Sequence, residues 1–169
     1  MPTRGPGIGP AEWLIAVGCG VFVLVLAISA VFVPDVRWLH VFQAGPYIAA
    51  VFLSIRHSRW GYFIGVSAAG LWNYATFFTS PLFVDVWHRL DRPEVLIQGS
   101  GWLGNSLVII GSAWAYARRT DRSRADIGRF AVAFVLSTAF LAAAVAIFSP
   151  GRLGFFPGLL HPRWPSLSR

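Results

Sequence analysis

Charge is scarce in this sequence. Only 12% of its 169 residues are charged, and lysine is missing altogether, so all fourteen basic residues are arginine. Average soluble domains carry about 25% charged residues, and a chain of this size needs more polar surface than it has to stay dispersed in water. Cysteine is reduced to Cys19, inside the first apolar run. One thiol excludes an internal disulfide, a CxxC redox pair and a zinc cluster, and leaves Cys19 as a small apolar packing residue. Phosphate-binding loops and dinucleotide fingerprints are missing too. Ser100 stands directly between Gly99 and Gly101, which is not the spacing of a nucleophile elbow. Ser106 has no histidine or acid at its depth to act as base. No catalytic residue is expected, and the sequence leans away from an enzyme.

What is present is apolar. Hydrophobic residues make up 56% of the chain, and mean hydropathy is +0.60. Five apolar runs cover residues 13–33, 38–55, 60–78, 95–117 and 130–148. Each matches the roughly 17–25 residues that a helix needs to cross the hydrocarbon. The expected fold is an all-α integral membrane protein, one bundle of five transmembrane helices over residues 1–148. The second run, with Gly45-Pro46 near its middle, is the least regular, since proline removes a backbone donor and kinks helices. The first run resembles a signal peptide, with Arg4 before an apolar core and small residues Ala27, Ser29 and Ala30 after it. It continues through Val31, Phe32 and Val33, which is long for a signal core, and is read as a helix.

Arginine placement orients the chain. Arg56 and Arg59 follow the second run, and Arg118, Arg119, Arg122, Arg124 and Arg129 follow the fourth. The opposite connections hold Arg37, Arg89 and Arg92 with the acids Asp35, Asp85, Asp91 and Glu94. The positive-inside rule then puts the N-terminus in the cytoplasm and the C-terminus outside. Arg152, Arg163 and Arg169 in the tail run against that rule. Because the arginines separate apolar runs rather than lining one face, the charge describes membrane topology and not a nucleic-acid surface. Trp13, Trp60 and Trp114 fall near one boundary and Trp38 near the other, as an interfacial belt does. Residues 149–169, rich in proline, glycine and aromatics, are expected to form an extended tail along the outer membrane face or a partner.

A faint duplication is visible. Trp13, Gly18 and Pro34 recur as Trp60, Gly65 and Pro81 at one fixed spacing, and the order from Gln43 to Ile48 resembles that from Gln98 to Leu103. Two parallel helix hairpins plus a fifth helix produce this pattern, as chance does in a chain so rich in tryptophan and glycine.

No acid or arginine falls in the middle of a run, which argues against proton pumps, ion-coupled transporters and voltage sensors. Neutral polar residues share a depth instead. His40, Gln43 and Tyr47 lie on one helical face, and Gln98, Asn105 and Ser112 recur every seven residues on another. With Asn73 they are expected to point inward, because an amide facing lipid is costly. Hydrogen bonding between helices is the first expectation, and a small polar pocket walled by Trp72 and Trp102 the second. Gln43, Asn73 and Gln98 are expected to converge in the outer third of the bundle; direct pairing without a cavity means a structural role, and a cavity beside Trp72 or Trp102 means a ligand site. Gly61, Gly65 and Ala69 precede Asn73 at four-residue steps, and Ser100, Gly104 and Gly111 follow on the next run. Such small-residue lines let helices approach closely.

His40, His57, His88 and His161 show no metal-ligand spacing, so no metal site is expected, and no cofactor is named. Asp121 and Asp126 lie among arginines and read as solvated charge pairs. The functional expectation is a non-catalytic accessory or assembly subunit of a larger membrane complex. Its partners are the lipid bilayer and either other membrane subunits or further copies of itself. The alternative is a small oligomeric transporter or channel, or a lipid- or quinone-binding membrane protein.

Overall fold

The computed structural model describes residues 7–32, 37–79 and 93–148. Among them are five helices and no strands: α1 (Pro10–Phe32), α2 (Arg37–Ile55), α3 (Arg59–Thr79), α4 (Pro93–Ala117) and α5 (Ala125–Phe148). The tail from 149 onward, His88, His161 and the two prolines of the apparent repeat lie outside the described residues.

Local chemistry sets the helix ends. Pro10 opens α1 at the first helical position, where its missing N–H has no intrahelical partner to lose. Pro46 lies inside α2, yet that helix is continuous over 19 residues. Beyond Ile55 the His57 amide donates to the Ser54 carbonyl at 2.8 Å and the Ser58 amide to the Leu53 carbonyl at 2.9 Å. These bonds form a Schellman motif, with His57 in the left-handed conformation at φ 54° where glycine is usual. At the start of α5 the Ser123 amide donates to Asp126 Oδ2 at 3.0 Å, the reciprocal contact of a capping box.

Four helices close a ring in which α1 meets α2, α2 meets α3, α3 meets α4 and α4 meets α1; α5 packs on α3 and, more lightly, on α2. The closest pairing is α1 with α4, where Gly18 and Gly104 face each other. A Cβ on Gly18 would stand 2.5 Å from the Gly104 carbonyl oxygen. Between these backbones Ile15, Phe22 and Val108 are fully buried. The Phe22 ring lies 4.4 Å from Tyr47 and 4.8 Å, edge-on, from Trp72.

Large apolar side chains cover the outside of every helix, among them Leu24, Ile48, Phe77, Leu103 and Leu136. So continuous an apolar exterior needs a non-aqueous surrounding. By length and composition α1, α2 and α5 are able to cross a membrane; α3 and α4 are long enough but not apolar enough by the same measure. The expectation of five apolar spans is therefore met by three. The physical reason is visible on α4. Its exposed residues Leu96, Leu103 and Ile110 recur every seven positions, and so do the covered residues Gln98, Asn105 and Ser112. Averaging the two stripes with the interleaved glycines dilutes an apolar outer face.

Candidate functional site

Two polar regions stand inside this apolar shell. The first is the layer at mid-depth. The Tyr47 hydroxyl donates to Asn105 Oδ1 at 2.7 Å, joining α2 to α4 across the ring. The Trp102 indole N–H donates to Thr76 Oγ1 at 2.9 Å, joining α4 to α3. Gln43, Pro46, Tyr47 and Trp72 line a cavity between α2, α3 and α5, together with Ser137 and Phe140. Its volume of about 30 Å³ admits one or two waters. Pockets for drug-sized molecules measure about 300–1,000 Å³, so this one is too small for a quinone or a pigment.

The remaining polar residues are distributed around it. Gln43 and Trp72 meet at the cavity; His40, Asn73, Gln98, Trp102 and Asn105 do not line it. Gln43 Oε1, Asn73 Oδ1 and Asn105 Nδ2 are buried with no hydrogen-bond partner among the described residues. Gln98 and His40 are half-buried. No hydrogen bond joins Gln43, Asn73 and Gln98 to one another among the described residues. The small-residue line is at the α2–α3–α4 contact: Gly61 against the Ser54 backbone, Gly65 against Ser112, Val108 and Ala50, and Ala69 fully buried. Ser100, by contrast, is exposed, and Gly101 packs on Trp72 in its place.

The second region lies at the arginine-rich end, and it corrects one expectation. Asp126 is not a solvated charge: it is 2% exposed. Its Oδ1 accepts from Arg59 Nη1 at 2.7 Å and Arg129 Nη1 at 2.6 Å, and its Oδ2 from the Tyr116 hydroxyl at 3.2 Å. Three helices and the turn before α5 are thereby tied to one carboxylate. Arg59 also donates to the Asp121 carboxylate and carbonyl, while Arg119 donates to Asp121 from Nε at 2.9 Å and to the His57 carbonyl at 2.8 Å. Hydrogen bonds from Arg119, then Arg59, hold the half-exposed Asp121 carboxyl well below its ordinary range. Glu12, 8% exposed, accepts from the Tyr62 hydroxyl at 3.0 Å and lies 3.4 Å from His57 Nδ1. The clasp thus holds the N-terminal ends of α1, α3 and α5 and the C-terminal ends of α2 and α4. Among the described residues no three His, Cys, Asp or Glu side chains form a group able to hold a metal.

Beside the clasp a groove of about 280 Å³ runs between α3, α4 and α5. Its polar lining is Tyr62, Ser112, Tyr116 and Asp126. The sequence reading missed both clasp and groove, although the serine–aspartate spacing of 123 and 126 is a legible capping signal.

The chain matches no protein-family model, no curated protein and no solved structure, so its site is read from its own geometry.

Proposed function

We propose that the protein crosses the membrane five times and serves as a non-catalytic accessory or assembly subunit of a larger membrane complex. The clasp is the observation that carries this reading. It gathers alternate ends of five consecutive helices at one face, as an up-and-down chain of spans does. With α1, α2 and α5 apolar enough to cross, α3 and α4 run beside them through the same depth with their polar stripes turned inward. The face so built carries Arg56, Arg59, Arg118, Arg119, Arg122, Arg124 and Arg129 against Glu12, Asp121 and Asp126, an excess of four positive charges. A fixed basic face of this kind suits an acidic partner chain and, by the positive-inside rule, the cytoplasmic side. Close packing in the ring and a mid-depth cavity of water size support a scaffold better than a substrate path.

Single cysteines at positions 85 and 121, on a Cys19→Ala background, test the five spans. A membrane-impermeant thiol reagent is expected to reach 121 only from the cytoplasm and 85 only from outside; same-side labelling removes α4 as a span and with it the five-span reading. Purification in mild detergent tests the role. Stoichiometric co-purification with other membrane chains is expected, whereas a lone homo-oligomer that conducts a solute overturns it.

A further inference from the structure

The geometry points to the groove between α4 and α5 as a binding site for an anionic phospholipid, with an acyl chain along Phe63, Val66 and Phe130 and the headgroup phosphate at Arg122 and Arg124 beside the clasp. The proposal rests on the five-span reading, which places the mouth of the groove in the leaflet on the arginine-rich side.

Four observations carry it. First, α3 packs on both α4 and α5, which scarcely meet each other, so it floors the gap between them. Its rim residues Ala113 and Ile127 are exposed. Second, the groove is large enough for an occupant: it measures about 280 Å³, near the lower end of the roughly 300–1,000 Å³ of small-molecule sites. Third, the groove is apolar along its length and polar at one end. Tyr62, Tyr116 and Asp126 form that polar end. Fourth, charge is complementary. Asp126 at the polar end is already matched by both Arg59 and Arg129. Arg122 and Arg124, in the connection beside it, make no ion pair among the described residues. Basic pockets between membrane helices are where anionic headgroups bind.

The test uses the full chain, purified in mild detergent and exchanged free of co-purified lipid. Phosphatidylglycerol or phosphatidylcholine of equal chain length is then added, and bound lipid is counted by native mass spectrometry beside the thermal midpoint. Phosphatidylglycerol is expected to be retained at one per chain and to raise the midpoint. The pair Arg122→Gln and Arg124→Gln is expected to lower that retention by roughly thirtyfold, the worth of two arginines at an anionic surface. Ile127→Trp, at a residue 74% exposed, narrows the mouth and is expected to reduce retention of either lipid. If it also lowers the lipid-free midpoint, Ala113→Trp on the opposite rim replaces it. Equal retention of the two lipids, or retention unchanged by these variants, overturns the site. A protein helix crosslinking to position 127 in native membranes, with no lipid retained, overturns it in favour of a protein occupant. Labelling positions 85 and 121 separates the two failures. Opposite-side labelling with no lipid preference sinks the lipid site alone; same-side labelling sinks the five-span reading with it.

Discussion

Replacing Gly18 by alanine asks how much of the bundle depends on two backbones touching. The new methyl would stand 2.5 Å from the Gly104 carbonyl oxygen, 2.9 Å from the Val108 amide nitrogen and 2.9 Å from Val108 Cγ2. Only the last of these atoms belongs to a side chain that turns aside. Carbon–oxygen contacts in proteins settle at about 3.3–3.6 Å, so the two helices must part by about 1 Å. Overpacking of this kind costs about 1–3 kcal/mol. A gap of about 1 Å also forfeits up to half of each dispersion contact along the seam, and Ile15, Phe22 and Val108 are fully buried there. The expected loss is about 2–3 kcal/mol. Gly20 is the control. It lies two residues away on the same helix, is exposed, and a Cβ there meets nothing within 4 Å. Gly20→Ala should therefore be neutral or stabilising by up to about 1 kcal/mol, the helix-propensity difference. Unfolding by sodium dodecyl sulfate titration, followed by tryptophan fluorescence in mixed micelles, reads both. Adding Val108→Ala to Gly18→Ala should not restore stability, because the blocking oxygen is backbone. Two glycine variants equal in stability within about 0.5 kcal/mol would refute the close α1–α4 approach.

Tyr47→Phe removes the bond to Asn105 and leaves its Oδ1 buried without that donor; the same titration should show a loss of about 1 kcal/mol, and Asn105→Leu in the same chain should recover part of it. Asp121 is held below its ordinary carboxyl value of 3.8 by Arg119 and Arg59. A depressed folded value means its contribution is complete above the unfolded one and is lost as pH falls below it. The thermal midpoint should stay flat from neutral pH to about 5 and fall below about 4; Asp121→Asn should lower the neutral midpoint and flatten that acid limb.

Hydrophobic run length made five helices legible, because each run is long enough to hold its backbone bonds internally and is bounded by arginine, proline or glycine. It did not separate helices whose apolar face is continuous from those with a polar stripe, which is why α3 and α4 read as spans by length and fall short by average hydropathy. For the polar layer, depth and period give the face of a helix but not the rotation of its neighbours. Tyr47 reaches Asn105, 58 residues away, while Gln43 lies at a cavity wall and Asn73 elsewhere. The burial of Asp126 was the least legible feature. In its local sequence it stands between Arg124 and Arg129 and resembles a surface charge; its partner Arg59 is 67 residues away.

Those distant contacts explain how α5 is seated. Its own glycine, Gly128 near its start, has open space around it. At its N-terminal end Asp126 fastens it to Arg59 of α3 and Tyr116 of α4. At its other end Ala144 and Val145 pack with Leu39, and the Phe148 ring stacks on Phe42 at 4.6 Å. Between these two attachments the buried side chains are small, Ala133 and Ser137, and both described cavities lie along this helix. A helix held at two ends and filled by small residues between them leaves room beside it without loosening the ring. The clasp therefore stands at one end of the groove between α4 and α5. Changes at Asp126 should act on whatever occupies the groove, while changes at Gly18 act on the fold itself.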